Sequence, residues 1–141
     1  MDSCDYPDFA EAAAKAVANG ECDKGIVMCT TGIGISIAAN KVKGIRCALL
    51  SDVMSARMTR EHNDTNMMSI GAAVVGKMLA LEIIDTWLGT EFSGEAKHQR
   101  RIDKITAIEQ GYFHHTQQPP GCKRIRAILY IMVYLNVGEG Q

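Results

Sequence analysis

The chain has 141 residues, the length of a single domain, and 47% of them are hydrophobic, enough for a packed core. Charged residues make up 22% and almost cancel to a formal net charge of -1, which gives no footing for a nucleic acid or a membrane surface as partner. Five cysteines (Cys4, Cys22, Cys29, Cys47 and Cys122) are scattered without a CxxC pair, which argues against a zinc site and for reduced thiols in a cytosol.

The start, Met1 to Asp5, has no basic stretch and no apolar run of the kind a secretory signal needs. Pro7 stands where a first helical turn tolerates proline, behind Asp5 as a candidate cap. Phe9, Ala10, Ala13, Ala14 and Val17 recur at helical spacing, and Asn19-Gly20 closes that helix. Gly25 to Cys29 is a short apolar run suited to a buried parallel strand. Thr30 to Gly34 is a turn, followed by a short helix over 35–41. A second strand is expected over 45–50, a helix over 53–62 and a third strand over 67–70. The stretch 76–88 reads as a helix with Met78, Leu79, Leu81, Ile83, Ile84 and Trp87 mostly inward. A charged helix over 96–110 closes the series.

Strands alternating with helices predict an α/β fold, a Rossmann-like three-layer arrangement with a parallel sheet between helices. Three strands are few for such a sheet, and the chain opens on a helix, so a strand-helix-strand unit is expected to be missing from its front. Residues 1–110 read as one domain. Residues 111–141 differ: Pro119-Pro120-Gly121 is a breaker, 122–126 is basic, and Ile128 to Leu135 is apolar and β-prone. The apolar run 127–135 is too short to span a bilayer. This segment reads as a tail outside the main domain, with the bare edge of the strand at 25–29 as a surface for it to cover.

Three places carry chemistry. A strand running into Cys29-Thr30-Thr31-Gly32-Ile33-Gly34 and then a helix is a geometry that cradles anions, because glycines permit close approach and backbone N–H groups turn inward. The pattern is neither a P-loop nor GxGxxG. A plain tight turn would show the same glycines. Cys29, at a strand end before a helix, is placed for a lowered thiol pKa and for service as base or nucleophile. A small buried hydrophobe is the alternative use of such a residue. Second, Arg60 to Asn66 is a dense polar segment, expected on the same sheet edge as the Cys29 turn. In it His62 can exchange protons near neutrality and Asn63 can bond hydroxyls, or both can serve a helix terminus. Third, Lys97, His98, Arg100, Arg101 and Lys104 crowd a helix start, where positive charge is unfavourable unless an anion is met there. A solvated basic face is the other reading.

In order along the chain, Asp5-Tyr6-Pro7-Asp8, Gly25 to Lys41, Gly44-Ile45-Arg46, Ser55-Ala56-Arg57, Arg60 to Asn66 and His98-Gln99-Arg100-Arg101 resemble type B ribose-5-phosphate isomerase. Its family also holds galactose-6-phosphate isomerase subunits. The resemblance covers about residues 5–110. It implies a cytoplasmic homodimer with shared active sites, a small sugar phosphate as ligand, no cofactor and no metal. It implies interconversion of ribose 5-phosphate and ribulose 5-phosphate, a step of the pentose phosphate pathway, through a cis-enediolate. Cys29 matches the base that moves a proton between C2 and C1. Thr31 matches the hydroxyl residue of the loop, and His62 the ring-opening histidine. Thr30, Thr31, Gly32, Ile33 and Gly34 match the amides that stabilise the enediolate oxygen. Tyr6 and Asn63 match sugar contacts, and Lys97 and Arg101 match phosphate contacts that reach the partner's site. Three departures stand out. The family's first strand, which ends in an Asp-His pair, has no counterpart here. Ala73 stands where an arginine is common. Lys97 replaces an arginine and cannot grip phosphate bidentately. A six-carbon substrate, or a non-catalytic sugar-phosphate-binding homologue, are the competing readings.

Overall fold

The structure, a computed structural model, describes residues 5–112. The basic and β-prone stretch expected beyond residue 112, with Cys122, and Cys4 at the start lie outside the described residues. In chain order the elements are α1 (Tyr6–Ala18), β1 (Gly25–Cys29), α2 (Ile33–Ala39), β2 (Cys47–Leu49), α3 (Val53–Asn63), β3 (Met67–Gly71), α4 (Lys77–Gly89) and α5 (Ala96–Glu109).

The sheet is parallel with order β1-β3-β2. Its registers start at the same rung, Gly25 and Cys47 both opposite Met67. The central strand β3, Met-Met-Ser-Ile-Gly, is buried along its whole length, as a strand covered on both faces must be. Its side chains divide two cores by alternation. Met67 points with Val27 into a cluster closed by Ala10 and Ala14 of α1 and Ile35 and Ala39 of α2. Met68 and Ile70 point the other way, to Ala56 of α3 and Ala80, Ile83 and Trp87 of α4. The three-layer α/β expectation therefore holds for the described residues. Trp87 is fully buried, and its indole N–H donates to Thr65 Oγ1 at 2.9 Å, which satisfies the polar atom of the largest core side chain.

Helix periodicity placed the elements but misjudged some faces. Asp5 stands at the N-cap of α1 without a capping hydrogen bond from its side chain. Phe9 is exposed, and α1 packs through its alanines. On α4, Met78, Leu79 and Leu81 are exposed and only Ala80, Ile83 and Trp87 are buried. The reason is that β1 pairs on one side only among the described residues. Met28 of β1 and Leu81 of α4 border an open apolar groove of about 310 Å³ that Ile70, Ala80 and Ile84 also line.

Candidate active site

The turn after β1 is built by interlocking glycines. Gly32 has φ of 77°, and a β carbon there would lie 2.8 Å from the Gly71 nitrogen. Gly71 in turn would drive a β carbon to 2.5 Å from the Thr31 carbonyl oxygen. Only glycine at both positions lets the turn press on the end of β3. Ser69 Oγ donates to the Gly32 carbonyl at 3.0 Å, and the Ala72 and Ala73 amides donate to the Cys29 and Thr30 carbonyls at 2.9 and 3.0 Å. Ala73, where the resemblance expects an arginine, therefore sits beside Thr30.

The half-buried thiol of Cys29 faces this turn. The Gly32 amide donates to its sulfur at 3.2 Å, and the Thr31 hydroxyl accepts from the Ile33 amide at 3.3 Å. Burial pushes the thiol pKa up, but the amides of Ile35, Gly32 and Thr31 and the Thr31 hydroxyl outweigh it, and the pKa ends below the ordinary value. Cys47 shows the opposite case: burial dominates, with a small counteraction from the Ser69 hydroxyl, and its pKa is pushed up to about 11. The two thiols are thus chemically distinct, one disposed to ionise and one not. The ring of Tyr6 lies over Gly34, where a β carbon would come within 2.6 Å of the phenolic oxygen. Tyr6, Cys29 and Thr30 to Gly34 consequently gather at the carboxyl end of the sheet.

His62, Asn63, Lys97 and Arg101 gather elsewhere. The loop that follows α3 leads into β3 from its amino end: the Gly25 amide donates to the Asn66 carbonyl at 3.0 Å. The expectation that this segment shares the sheet edge of the Cys29 turn is therefore wrong. A strand carries the chain to the carboxyl end and the following helix brings it back, so the end of α3 lies at the opposite rim. The five residues of β1 separate the two places by roughly 13 Å of strand.

This second cluster is firmly held. Arg60 donates through Nη1 to Asp64 Oδ1 and the Thr65 carbonyl, both at 2.7 Å, and through Nε to the Thr90 carbonyl at 3.1 Å. Arg46 donates to the Asn63 and Asp64 carbonyls at 2.9 and 2.7 Å. Asp64 turns the chain at φ of 45°. Asn63 is exposed at that corner. The start of α5 packs on the same corner, with the Ser93 amide donating to the Glu61 carbonyl at 3.1 Å. There Lys97 and Arg101 are exposed, and Lys97 Nζ lies 2.7 Å from Glu95 Oε2. His98, named in the sequence only as one of the basic residues at this helix start, is buried, and its ring stacks on that of His62, centroids 4.1 Å apart and planes 11° apart. Its signal was the four-residue spacing to Ile102, the other buried position of α5.

Among the described residues no group of three or more His, Cys, Asp or Glu side chains is placed to hold a metal ion, and no helix is long and apolar enough to cross a membrane.

Comparison with known proteins bears on the chain as a whole. Residues 1–105 match the family model described as Ribose/Galactose Isomerase. The chain is 54% identical over 106 residues to "Ribose-5-phosphate isomerase B" of Escherichia coli K12, covering 75% of this chain and 70% of the relative. It superimposes on the ribose-5-phosphate isomerase B of Clostridium thermocellum with a TM-score of 0.76 at 56% identity, over 79% of this chain and 75% of that one. It is also similar to ribose-5-phosphate isomerase B of Mycoplasma genitalium, solved with bound ribulose-5-phosphate. There the TM-score is 0.73 and the identity 40%, over 78% and 72% of the two chains.

Proposed function

The chain belongs to the ribose/galactose isomerase family, and from that membership we propose that it interconverts ribose 5-phosphate and ribulose 5-phosphate. It is a sugar-phosphate isomerase, with Cys29 as its base. The observation that carries the reading is the Cys29 sulfur at the mouth of the glycine turn, with the Gly32 amide on it and its pKa lowered.

In the proposed reaction the Cys29 thiolate removes the proton from C2 of the open-chain aldose. The electron pair moves toward the carbonyl and a cis-enediolate forms. The thiol then returns the proton to C1, while a hydroxyl proton moves from O2 to O1, and the ketose results. The amides of Thr30 to Gly34, with the Thr31 hydroxyl, hold the oxygen that carries the developing charge. Tyr6, exposed over Gly34, supplies a contact to the sugar. His62 opens the furanose ring by giving a proton to the ring oxygen. Asn63 bonds a sugar hydroxyl, and Lys97 and Arg101 bind the phosphate. The aldose and ketose differ only in where two hydrogens sit, so the reaction as written draws on no external oxidant or reductant.

His62 lies at the far end of the sheet from Cys29 of the same chain, so the reading requires two copies. Each contributes its Cys29 end to one site and its His62 end to the other, in a homodimer with shared active sites. A mixing experiment tests this. Cys29→Ala and His62→Ala chains are each expected to be inactive. Once mixed and allowed to exchange partners, they recover about a quarter of wild-type turnover, because half the dimers are mixed and each mixed dimer has one intact site. No recovery, with both variants dimeric, overturns the shared site. Full activity of Cys29→Ala overturns the base.

A six-carbon sugar phosphate is the second reading, favoured by the galactose isomerases of the same family. Relative kcat/KM for ribose 5-phosphate and galactose 6-phosphate decides between them. Ligand-dependent stabilisation without turnover of either would point to a binding protein instead. The domain is taken as residues 1–110, with 111–141 as a separate tail and the cytoplasm as its compartment.

A further inference from the structure

His98 is 3% exposed, and neither Nδ1 nor Nε2 has a hydrogen-bond partner. Leaving two ring nitrogens idle in the interior is costly, and an apolar side chain would fill the space without that cost. The nearest acid is Glu95, with Oε1 at 3.8 Å from Nε2, beyond hydrogen-bond range and already tied to Lys97. What the ring does meet is the face of His62, 4.1 Å away and nearly parallel.

The charged groups around this ring are few. Burial is the main influence holding the His98 pKa below the ordinary value, and the neighbouring His62 adds to it. Glu95 opposes the shift, while Lys97 and Arg101 reinforce it. Two stacked imidazoles repel if both are charged. The half-buried ring, His62, has water to solvate a charge, and the buried one does not.

Resting on the reading of His62 as the ring-opening residue, we propose that His98 is its positioning residue, a buried platform whose stacked ring fixes the plane of the His62 ring. The face of His62 turned away from His98 is then the one free for substrate. His98 itself touches no substrate.

The test has one arm that needs no turnover. In the full-length chain the carbon-bound ring protons of His62 are expected upfield of a solvated histidine, shifted by the ring current of His98. That shift persists in His98→Phe and disappears in His98→Ala. Nitrogen chemical shifts of the wild-type chain are expected to show His98 staying neutral to a lower pH than an ordinary histidine. In the second arm His98→Ala lowers kcat about tenfold with KM within about twofold, and His98→Phe restores most of kcat. Identical His62 shifts in wild type and His98→Ala, or a His98 that charges as readily as a free histidine, overturn the proposal. So does a folded His98→Phe chain as slow as His98→Ala. If His98→Ala does not fold, the wild-type titration and His98→Phe still decide. If the wild type has no isomerase activity, the function fails while the first arm still judges the platform.

Discussion

Gly32→Ala puts the architecture of the turn to a direct test. Gly32 sits at φ of 77°, where an L-residue is strained by about 1–2 kcal/mol. The added β carbon would also lie 2.6 Å from Leu49 Cδ1 and 2.8 Å from both the Gly71 nitrogen and the Ile70 carbonyl carbon. The leucine tip can swing away. The backbone at 70–71 cannot, because it belongs to the central strand, and overpacking of this kind costs about 1–3 kcal/mol. The sum is on the order of 2–5 kcal/mol, which for a chain of this size lowers Tm by about 10–20 °C. Relief would come from lifting the turn off β3, which carries the Gly32 amide away from the Cys29 sulfur. The thiol pKa should then rise. Thermal unfolding by circular dichroism and the pH dependence of Cys29 alkylation measure the two effects. A variant that melts within about 3 °C of wild type, with unchanged alkylation, would refute the interlocked-glycine argument.

Other outcomes follow from the same structure. Brief treatment with iodoacetamide near neutral pH should modify Cys29 and leave Cys47 untouched, as peptide mapping by mass spectrometry would show; equal labelling of the two contradicts the opposed shifts. The Cys47 thiol is raised in the folded chain, so its contribution to stability is complete below the unfolded thiol pKa and lost as pH climbs toward about 11. Cys29 is lowered, so its contribution is present above the unfolded value and fades as pH falls through the folded one. Denaturant titrations from pH 8 to 11 should therefore show a loss that Cys47→Ala diminishes. Arg60→Met strands the Thr65 and Thr90 carbonyls and should cost about 2–4 kcal/mol in denaturant unfolding, whereas an exposed Lys15→Met should cost under about 1 kcal/mol. Trp87→Phe removes the bond to Thr65 and should destabilise by about 1–2 kcal/mol in the same assay.

Much of the fold was readable because its signals are local. Gly25 to Cys29 read plainly as a strand and the glycines after it announced the turn, but the expectation that the strand is buried holds only at Val27, because β1 lies at the sheet edge with Ile26 and Met28 exposed. Which face of α4 is covered depends on neighbours rather than on its own periodicity, so Met78 and Leu81 were misassigned. The Cys29 turn was legible as a unit, since the residues that build it, apart from Gly71 and Ser69, are contiguous. The end of α3 lies at the rim opposite the Cys29 turn, which the composition of the loop alone does not reveal. The rule that a strand goes out and its helix returns does reveal it. Among basic neighbours His98 reads as one more charge at the helix start, and neither the anion reading nor the solvated-face reading of that segment implies a buried ring.

The length of β1 has a kinetic consequence. Four residue steps of strand separate the thiol from the rim where the paired imidazoles lie, and a strand hydrogen-bonded along its length to β3 does not shorten. If the proposed shared site holds, one chain does not bring both ends to one sugar. Specific activity should then depend on dilution: constant while chains are plentiful, then falling in proportion to concentration once it drops well below the dissociation constant for self-association. A monomeric working enzyme would show a flat line.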